Sequence, residues 1–330
     1  MFMSSSKKLL VISERGLGDA LTLLPSLAAL SGARPEINIQ LLAPGLYSLS
    51  PNLRNFIELI DHKSLALLGS QEKAAWLRAQ NFDWVWNTEN QRSPWRPILQ
   101  AAENPNWISA LPHKKWPKKP VLDIRFQQLK MLFPELSGYV DFLLPLTAEQ
   151  LVAKEAFLRT VSNTSQHVIA IQPGAADKNK TWPPEKFREL THALIATGRV
   201  TVLFFIGKFE AETFTPEFLP AQKNLIRVQA PLGEVLPKLA ACELFIGNDS
   251  GFYHLAHALG IKTVGIYSRR RSVKVWAYSA RRSKAVWFPL PKPLRHHWKK
   301  MISVQRVLNA IASHLNGELH FQPRQLSKSH

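Results

Sequence analysis

Residues 243–260 read ELFIGNDSGFYHLAHALG: an apolar run, a short polar turn, a helical pattern and a closing glycine. The run predicts a buried strand, and the pattern after the turn predicts a helix that ends at the glycine. Asp249 or Ser250 stands where a helix cap is expected. Gly251 would let a ligand approach the first amides of the helix, whose dipole favours an anion. The stretch therefore predicts an α/β unit with an anion-binding turn.

The same alternation recurs along the 330-residue chain. Strands are predicted at 8–13, 37–42, 83–87, 167–172, 200–206, 225–228, 243–247 and 263–267. Helices are predicted at 20–31, 147–160, 184–197, 232–241 and 251–259. Strands that alternate with helices predict parallel sheets covered on both faces, in two doubly wound halves with a cleft between them.

The length predicts two domains, because a single core stops growing at roughly 250–300 residues. The polar break at 162–166 separates two runs of strand and helix patterns. We expect an N-terminal domain over 1–155 and a C-terminal domain over 156–330. The last helix is a candidate to pack back on the N-terminal domain.

The charge of the chain is strongly unbalanced, with 42 Lys and Arg against 24 Asp and Glu, a net +18. Residues 250–317 hold thirteen of the basic residues and no acidic one, and a smaller basic cluster lies at 113–119. Such patches attract anionic partners, which can be nucleic acid, an anionic membrane surface or a phosphorylated substrate. A solvated basic face that only aids solubility remains the alternative.

Composition narrows the class of protein. Hydrophobic residues make up 45% and charged residues 20% of the chain, as in an ordinary folded protein. A single cysteine, Cys242, excludes a disulfide framework and a Cys-rich zinc site, and suits the cytosol. No apolar run approaches the roughly 18 residues of a membrane span. The start of the chain predicts a first strand rather than a signal peptide.

The loop after the first predicted strand carries two glycines and an acid. Gly16 and Gly18 allow a tight turn, but Leu21 stands where the dinucleotide fingerprint requires its third glycine. Asp19 lies at the carboxyl end of a strand in an open α/β sheet, where ligands bind. It is a candidate general base, and the alternative is that it caps the following helix.

The loop after the fourth predicted strand, 172–184, holds a small-residue turn and two lysines but no Walker sequence. The turn amides and one of the two lysines can hold phosphate oxygens, and the alternative is an ordinary connection with surface lysines. In the third loop, His254 and His257 share one helical face, but no HExxH pattern or acidic cluster supports a metal. We expect His254 to donate to a phosphate or to support the loop, and His257 to be structural.

Three motifs in this order resemble glycosyltransferase family 9, the bacterial ADP-heptose:lipopolysaccharide heptosyltransferases. They are Gly-Leu-Gly-Asp at 16–19, Gln-Pro-Gly at 172–174 with Lys-Thr-Trp-Pro at 180–183, and Asn-Asp-Ser-Gly-x-x-His-Leu-Ala at 248–256. The resemblance implies a GT-B fold, two Rossmann-like domains whose parallel sheets face a central cleft. It implies an inverting, metal-independent transfer of heptose from ADP-heptose to the lipopolysaccharide inner core, with no cofactor and no metal.

The resemblance also implies roles for individual residues. Asp19 would take the proton of the acceptor hydroxyl, and Lys180 would steady the departing diphosphate. Glu210 would bind the nucleotide ribose, with Glu212 as its rival because the spacing is ambiguous. The donor-binding set is Gly174, Lys178, Glu210, Asp249, Ser250, Gly251 and His254. The acceptor-binding set is Gly16, Gly18, Lys114, Lys115, Lys118 and Lys119.

Two stretches depart from the family pattern. Residues 268–271, Ser-Arg-Arg-Arg, replace a small Gly/Pro-containing loop, and residues 88–130 match nothing assignable. The same fold acting on another nucleotide sugar, or as an inactive relative, therefore stays open. A nucleic-acid-binding protein is suggested by charge alone, without an RRM, KH or zinc-finger pattern, and we expect no nucleic-acid partner. We expect a cytoplasmic protein that contacts the anionic inner face of the cytoplasmic membrane.

Overall fold

The computed structural model describes residues 7–88, 93–102, 107–109, 119–161, 166–315 and 319. The chain forms two compact units, unit 1 over residues 1–147 and unit 2 over residues 148–330. The domain division expected at 155/156 falls inside a helix, Ala148–Val161, that belongs to unit 2. In the part of the chain that is described, no helix combines the length and apolarity that a membrane span needs.

Unit 1 is built on a five-stranded parallel sheet with the strand order β3-β2-β1-β4-β5. The strands are β1 Lys7–Ile12, β2 Ile37–Leu42, β3 Glu58–Leu59, β4 Trp84–Asn87 and β5 Trp107–Ser109. The four apolar residues that end β1 are fully buried, as expected of a central parallel strand covered on both faces. The strand order reverses between β1 and β4, which makes their carboxyl ends the switch point where ligands bind in such sheets.

The helices of unit 1 correct one prediction. They are α1 Leu17–Leu21, α2 Leu24–Ala33, α3 Ser50–Leu53, α4 His62–Ala66, α5 Ser70–Gln80, α6 Trp95–Ala102 and α7 Val121–Lys130, with a 3-10 helix at Pro44–Leu49. The single helix predicted over 20–31 is wrong, because Thr22 and Leu23 separate α1 from α2. Pro25 lies in the first turn of α2, where its missing N–H breaks no helical hydrogen bond.

Unit 2 contains a six-stranded parallel sheet with the order β11-β10-β9-β6-β7-β8. Its strands are β6 His167–Gln172, β7 Val200–Phe205, β8 Leu225–Val228, β9 Leu244–Asn248, β10 Lys262–Ile266 and β11 Ser283–Val286. The order reverses between β6 and β9, so unit 2 repeats the switch point of unit 1. The sequence missed β11, because its four residues, SKAV, form no continuous apolar run.

The helices of unit 2 are α8 Ala148–Val161, α9 Pro184–Ile195, α10 Leu232–Ala240, α11 Gly251–Ala258, α12 Arg270–Trp276, α13 Trp298–Met301 and α14 Val304–His314, with 3-10 turns at Lys178–Lys180 and Lys292–His297. The buried face of α14 joins the same core as β6, β7 and α9. The apolar face of α14 is therefore used inside unit 2, and packing of the last helix on the N-terminal domain stays a prediction.

Candidate active site

Asp19 lies on the first turn of α1, directly beyond the carboxyl end of β1. The helix begins after Gly16, which occupies the cap position, so the alternative that Asp19 is the cap is wrong. The Asp19 side chain is 23% exposed. Its Oδ1 is buried and accepts no hydrogen bond from any residue that the structure describes. The carboxylate is therefore held at the switch point without being used to start the helix.

Arg125 is a residue of this site that the sequence did not reveal. Its guanidinium is buried, and Nη2 lies 3.5 Å from Oδ1 of Asp19. Nη1 donates to the carbonyl oxygen of Thr88, just after β4, at 3.0 Å. Arg125 therefore reaches from α7 to the Asp19 carboxylate on α1 and to the backbone just after β4. An arginine between the apolar residues Ile124 and Phe126 was the available signal, because arginine is almost never buried without a partner.

The other predicted acceptor residues are less informative. Gly16 is exposed, and a Cβ added to it would meet nothing within 4 Å, while Gly18 is buried within α1. The glycine that close packing requires is Gly45, where a Cβ would stand 2.7 Å from the backbone nitrogen of Leu17. Lys119 is exposed. The remaining predicted residues, Lys114, Lys115 and Lys118, lie outside the described residues, as does most of the basic cluster at 113–119.

In unit 2, Asn248 joins the loop after β6 to the loop after β9. Its amide nitrogen donates to the carbonyl oxygen of Pro173, and its Oδ1 accepts from the backbone N–H of Trp182 at 2.9 Å. Asn248 is fully buried, and the Trp182 indole donates to the carbonyl oxygen of Ile302 at 3.0 Å. The two predicted phosphate loops are therefore fixed to each other from inside the fold.

Lys180 and Asp249, one from each of these loops, form an ion pair. Nζ of Lys180 donates to Oδ2 of Asp249 at 2.8 Å, and the two side chains are 32% and 5% exposed. Burial raises the pKa of Asp249, and the neighbouring cations of Lys180 and Arg269 partly oppose this rise. The carboxylate is almost removed from water, while the lysine keeps about a third of its surface available to a ligand.

The start of α11 is not capped by a side chain, which corrects the prediction that Asp249 or Ser250 caps it. Ser250 occupies the cap position, but no side-chain hydrogen bond to the first turn is present. The Ser250 hydroxyl is buried and has no hydrogen-bond partner within the described ranges. The first amides of α11, beginning at Gly251, therefore remain for an anion, as the sequence predicted for a ligand.

Glu210 lies against the glycine turn after β6. A Cβ added to Gly174 or to Gly207 would overlap the carboxyl group of Glu210. Burial raises the pKa of Glu210, and hydrogen bonds from the amides of Gly207 and of Glu210 itself partly offset this rise. Glu212, the rival in the sequence, is exposed. The geometry brings Glu210, and not Glu212, to the same strand ends as Gly174.

The two histidines of α11 lie in an aromatic cluster. His254 is 3% exposed, and its Nδ1 lies 2.8 Å from the hydroxyl of Tyr278. The His257 ring stacks on Tyr278, with ring centroids 3.5 Å apart. Burial, together with the Arg282 cation, lowers the pKa of His257 to about 3, so this ring is neutral and acts structurally. The phosphate contact expected of His254 stays a prediction.

A further predicted donor residue is Lys178, which is exposed in the turn before Lys180. Its carbonyl oxygen accepts from Nζ of Lys299 at 3.0 Å. In the ranges that the structure describes, no three or more His, Cys, Asp or Glu side chains gather in a way that could hold a metal ion.

The arrangement in unit 2 suits a phosphorylated nucleoside. The loops after β9, β6 and β7 follow three neighbouring strands and supply a partly exposed lysine, an uncapped helix start and a half-buried carboxylate. Cations and free amides bind phosphate oxygens, and a carboxylate accepts from ribose hydroxyls. The site can therefore bind a nucleoside diphosphate through its phosphate groups and through its ribose hydroxyls.

Known proteins are similar to this chain in sequence. The sequence model of "Glycosyltransferase family 9 (heptosyltransferase)" matches residues 111–301. Lipopolysaccharide heptosyltransferase 2 of Escherichia coli K12 is 25% identical over 293 residues, which cover 79% of this chain and 82% of that protein. The protein of the same name from Salmonella typhimurium is 24% identical over 290 residues, which cover 79% of this chain and 82% of that protein.

Solved structures show the same fold. The family 9 glycosyl transferase of Veillonella parvula superposes with a TM-score of 0.74 at 19% identity, covering 94% of this chain and 97% of that chain. E. coli ADP-heptose lps heptosyltransferase II gives a TM-score of 0.71 at 19% identity, covering 94% and 99%. These likenesses, with two parallel sheets, confirm the expected GT-B fold. The family match extends over more than half of the chain, which therefore belongs to glycosyltransferase family 9, the heptosyltransferases.

Proposed function

We propose that this glycosyltransferase moves a heptose from ADP-heptose to the inner core of lipopolysaccharide, with inversion at the anomeric carbon and without a metal. The observation that carries the proposal is the Lys180–Asp249 pair beside the uncapped start of α11. Two relatives named lipopolysaccharide heptosyltransferase 2, and the family's own description, support the choice of heptose and of acceptor.

The donor chemistry follows from where charge develops. Breaking the bond between the sugar and the diphosphate leaves negative charge on the departing ADP. Lys180 and the first amides of α11 place positive charge where that charge grows, which stabilises the transition state. Asp249 holds the ammonium group in position through its 2.8 Å hydrogen bond. The chain therefore supplies by itself the charge that a metal ion supplies in other glycosyltransferases.

The acceptor chemistry needs one base, because a single displacement inverts the anomeric carbon. Asp19 is the candidate, since its carboxylate is held at the switch point of unit 1 and is not used as a helix cap. The guanidinium of Arg125 places a positive charge beside this carboxylate, with Nη2 at 3.5 Å from Oδ1. Gly16, Gly18 and the lysines of the 113–119 cluster stay predicted acceptor contacts.

The nucleotide is recognised on unit 2. Glu210 is the proposed ribose ligand, because its carboxyl group is turned inward against Gly174 and Gly207, whereas Glu212 is exposed. A carboxylate in this position accepts hydrogen bonds from the 2′ and 3′ hydroxyls, and its partial burial makes those bonds stronger than in water.

We also propose that the protein works at the inner face of the cytoplasmic membrane. The segment 292–301 is basic and carries two exposed apolar side chains, Leu294 and Met301, among its Lys, Arg and His residues. Basic segments with apolar anchors bind anionic lipid surfaces. Binding to phosphatidylglycerol vesicles should weaken as salt is raised from 50 to about 500 mM, because screening shortens the reach of exposed charges. Absent or salt-insensitive binding would overturn this part.

A calorimetric titration of the purified protein tests the donor assignment. ADP-heptose and ADP should bind, while UDP-glucose and GDP-mannose should bind at least about ten-fold more weakly, a difference of about 1.4 kcal/mol. The anomeric configuration of the product, read by NMR, tests inversion. Preferential binding of a UDP- or GDP-sugar would show the same fold with another donor. No nucleotide binding at all would indicate an inactive relative.

A further inference from the structure

Unit 2 has a second concave site at the ends of β10 and β11, with a volume of about 420 Å³. We call it the arginine pocket. It is lined by Ser268, Arg269, Arg270, Arg271, Trp287, Phe288, Pro289, Leu290, Pro291 and Arg295. The volume lies in the range of small-molecule sites, and the carboxyl ends of parallel strands are where such sites form. The pocket includes the Ser-Arg-Arg-Arg segment that departs from the family pattern.

The charge of the pocket is not balanced by the protein around it. The three side chains of Arg270, Arg271 and Arg295 are exposed, and no described residue forms an ion pair with any of them. Arg269 donates through Nε to Ser272 Oγ at 3.4 Å, and the carboxylate on which its charge acts is Asp249, which does not line the pocket. Residues 250–317 contain no acid at all. Four cations around one cavity repel one another, and a bound anion relieves that repulsion.

The walls of the pocket are aromatic and apolar. Trp287 and Phe288 are half-buried, and Pro289 and Leu290 continue the wall. Arg306 covers the Phe288 ring at 5.6 Å, whereas no cation or ring of the described residues contacts the Trp287 indole. An aromatic face beside arginines suits a sugar ring, whose C–H face packs on the indole while a charged substituent meets the guanidinium groups.

The number of arginines decides between the anions that a sugar can carry. A carboxylate carries one negative charge, whereas a phosphate ester carries about 1.5 to 2 charges near neutral pH and three acceptor oxygens. Four arginines with planar, bidentate donors match the second group better than the first. None of Lys180, Asp249 and Gly251 lines the pocket, although Arg269 of the pocket lies near enough to Asp249 for its charge to act there.

We propose that the arginine pocket binds a phosphorylated sugar, with Arg271 and Arg295 on the phosphate and Trp287 against the ring. This inference rests on the proposed function in one respect: the phosphorylated sugar is part of the acceptor glycan. The pocket then selects acceptors that carry a phosphate, and does so from the unit that holds the donor. Arg269 is left out of the assignment because its charge also acts on Asp249.

Calorimetric titration of the full chain with glucose 6-phosphate is the direct test. The wild type should bind glucose 6-phosphate, bind glucuronate at least about ten-fold more weakly, and show no measurable binding of glucose. The double variant Arg271→Gln/Arg295→Gln should lose at least about ten-fold in affinity for glucose 6-phosphate. Both arginines are exposed, so the fold should survive, and an unchanged thermal midpoint would confirm this.

The matched control is Lys274→Gln/Arg281→Gln. Both residues are exposed, belong to the acid-free stretch and lie outside the pocket. Each of the two double variants removes two positive charges, so the net charge changes equally. The control should keep wild-type affinity for glucose 6-phosphate. An equal loss in both double variants would show general electrostatic attraction and overturn the pocket. Binding to phosphatidylglycerol vesicles that only the pocket variant loses, with no glucose 6-phosphate binding to the wild type, would assign the arginines to lipid and also overturn it.

The failure of this inference can be told from a failure of the proposed function. If ADP binds and glucose 6-phosphate does not, the arginine pocket is refuted and the donor site stands. If glucose 6-phosphate binds in the pocket and ADP does not, the pocket stands and the donor assignment fails. In a transfer assay with a phosphorylated acceptor, the pocket variant should raise KM for the acceptor at least about five-fold, with kcat and KM for the donor unchanged.

Discussion

Nζ of Lys180 lies 2.8 Å from Oδ2 of Asp249, and the two residues come from loops that follow the strands on either side of the unit 2 switch point. The pair joins the cation proposed to steady the leaving diphosphate to a carboxylate that is only 5% exposed. Asn248, one residue before Asp249, ties the same two loops together through Pro173 and Trp182. The ammonium group is thus preorganised before any donor binds.

Removing the lysine should separate its catalytic role from its structural one. Lys180→Ala should lower kcat by about 10²- to 10³-fold, as expected for the loss of one preorganised charge at a leaving group. The variant also leaves the buried carboxylate of Asp249 without its partner. We expect the unfolding free energy to fall by about 1–3 kcal/mol, which is less than for a fully buried ion pair because the lysine is partly exposed. The double variant Lys180→Ala/Asp249→Asn should regain stability but not turnover, measured by thermal unfolding and by ADP release.

The pH dependence of the same variant has a definite sign. Burial raises the pKa of Asp249, and Lys180 opposes that rise, so Lys180→Ala raises this pKa further. A carboxyl group with a raised folded-state pKa gives up its proton more readily when unfolded, so stability falls as pH rises between the unfolded and folded values. The deficit of the variant relative to wild type should be larger at pH 7.5 than at pH 5. An equal deficit at both values would contradict the pairing.

Glu210→Gln should weaken nucleotide binding without weakening the fold. Burial raises the pKa of Glu210, so its ionised form carries a desolvation cost in the folded state, and a neutral amide removes that cost. We expect a thermal midpoint at pH 7.5 equal to or above that of wild type, and an affinity for ADP lower by about ten-fold. The exposed neighbour gives the control: Glu212→Gln should change neither quantity. The reverse pattern would move the ribose contact to Glu212.

Gly174→Ala should disturb the nucleotide site by displacing the Glu210 side chain. A Cβ at this position overlaps the Glu210 carboxyl group and lies 2.5 Å from the side-chain amide of Gln172. The Glu210 side chain must therefore move, and ADP affinity should fall about as far as in Glu210→Gln. Gly233→Ala adds the same methyl group where nothing lies within 4 Å, so it should leave ADP binding unchanged. Wild-type affinity in Gly174→Ala would contradict the placement of Glu210.

Arg125 is expected to act through Asp19 as a positioning residue. Arg125→Gln should lower kcat by about ten-fold or more while KM for the donor stays unchanged, because the donor binds to unit 2. Arg125→Lys should restore part of the loss, since it keeps the charge but not the second donor to Thr88. On the same helix, Lys130→Gln should be neutral. A raised KM for the donor with unchanged kcat would assign Arg125 to substrate binding.

Several strands could be predicted because parallel strands that are covered on both faces are rich in apolar residues. HVIAIQ at 167–172, INIQLL at 37–42 and LIRV at 225–228 match β6, β2 and β8 residue for residue, although polar residues interrupt the last two. The two short strands β3 and β5 were not predicted. The strand SKAV of β11 carries no such signal, and its place was missed. In the site, the motifs identified Asp19, Lys180 and Asp249 as candidate residues. A sequence pattern describes only local structure, however, and does not show which side chains come into contact.

The contacts in the site could not be read in the same way. Lys180 and Asp249 are 69 residues apart, and Arg125 reaches Thr88 from 37 residues away. Such pairs exist only once the loops are brought to one sheet edge. The choice between Glu210 and Glu212 likewise depends on which side chain the loop turns inward, which spacing alone left ambiguous.

The central claim is that Asp19 is the base of a transfer from ADP-heptose, and ADP release with a lipopolysaccharide-core acceptor tests it most directly. Wild-type protein should release ADP. Asp19→Asn should lose about 10²- to 10⁴-fold in rate, while its affinity for ADP stays unchanged. Glu14→Gln, an exposed acid in the adjacent loop, should behave as wild type. Wild-type turnover by Asp19→Asn, or consumption of a different nucleotide sugar in place of ADP-heptose, would contradict the account.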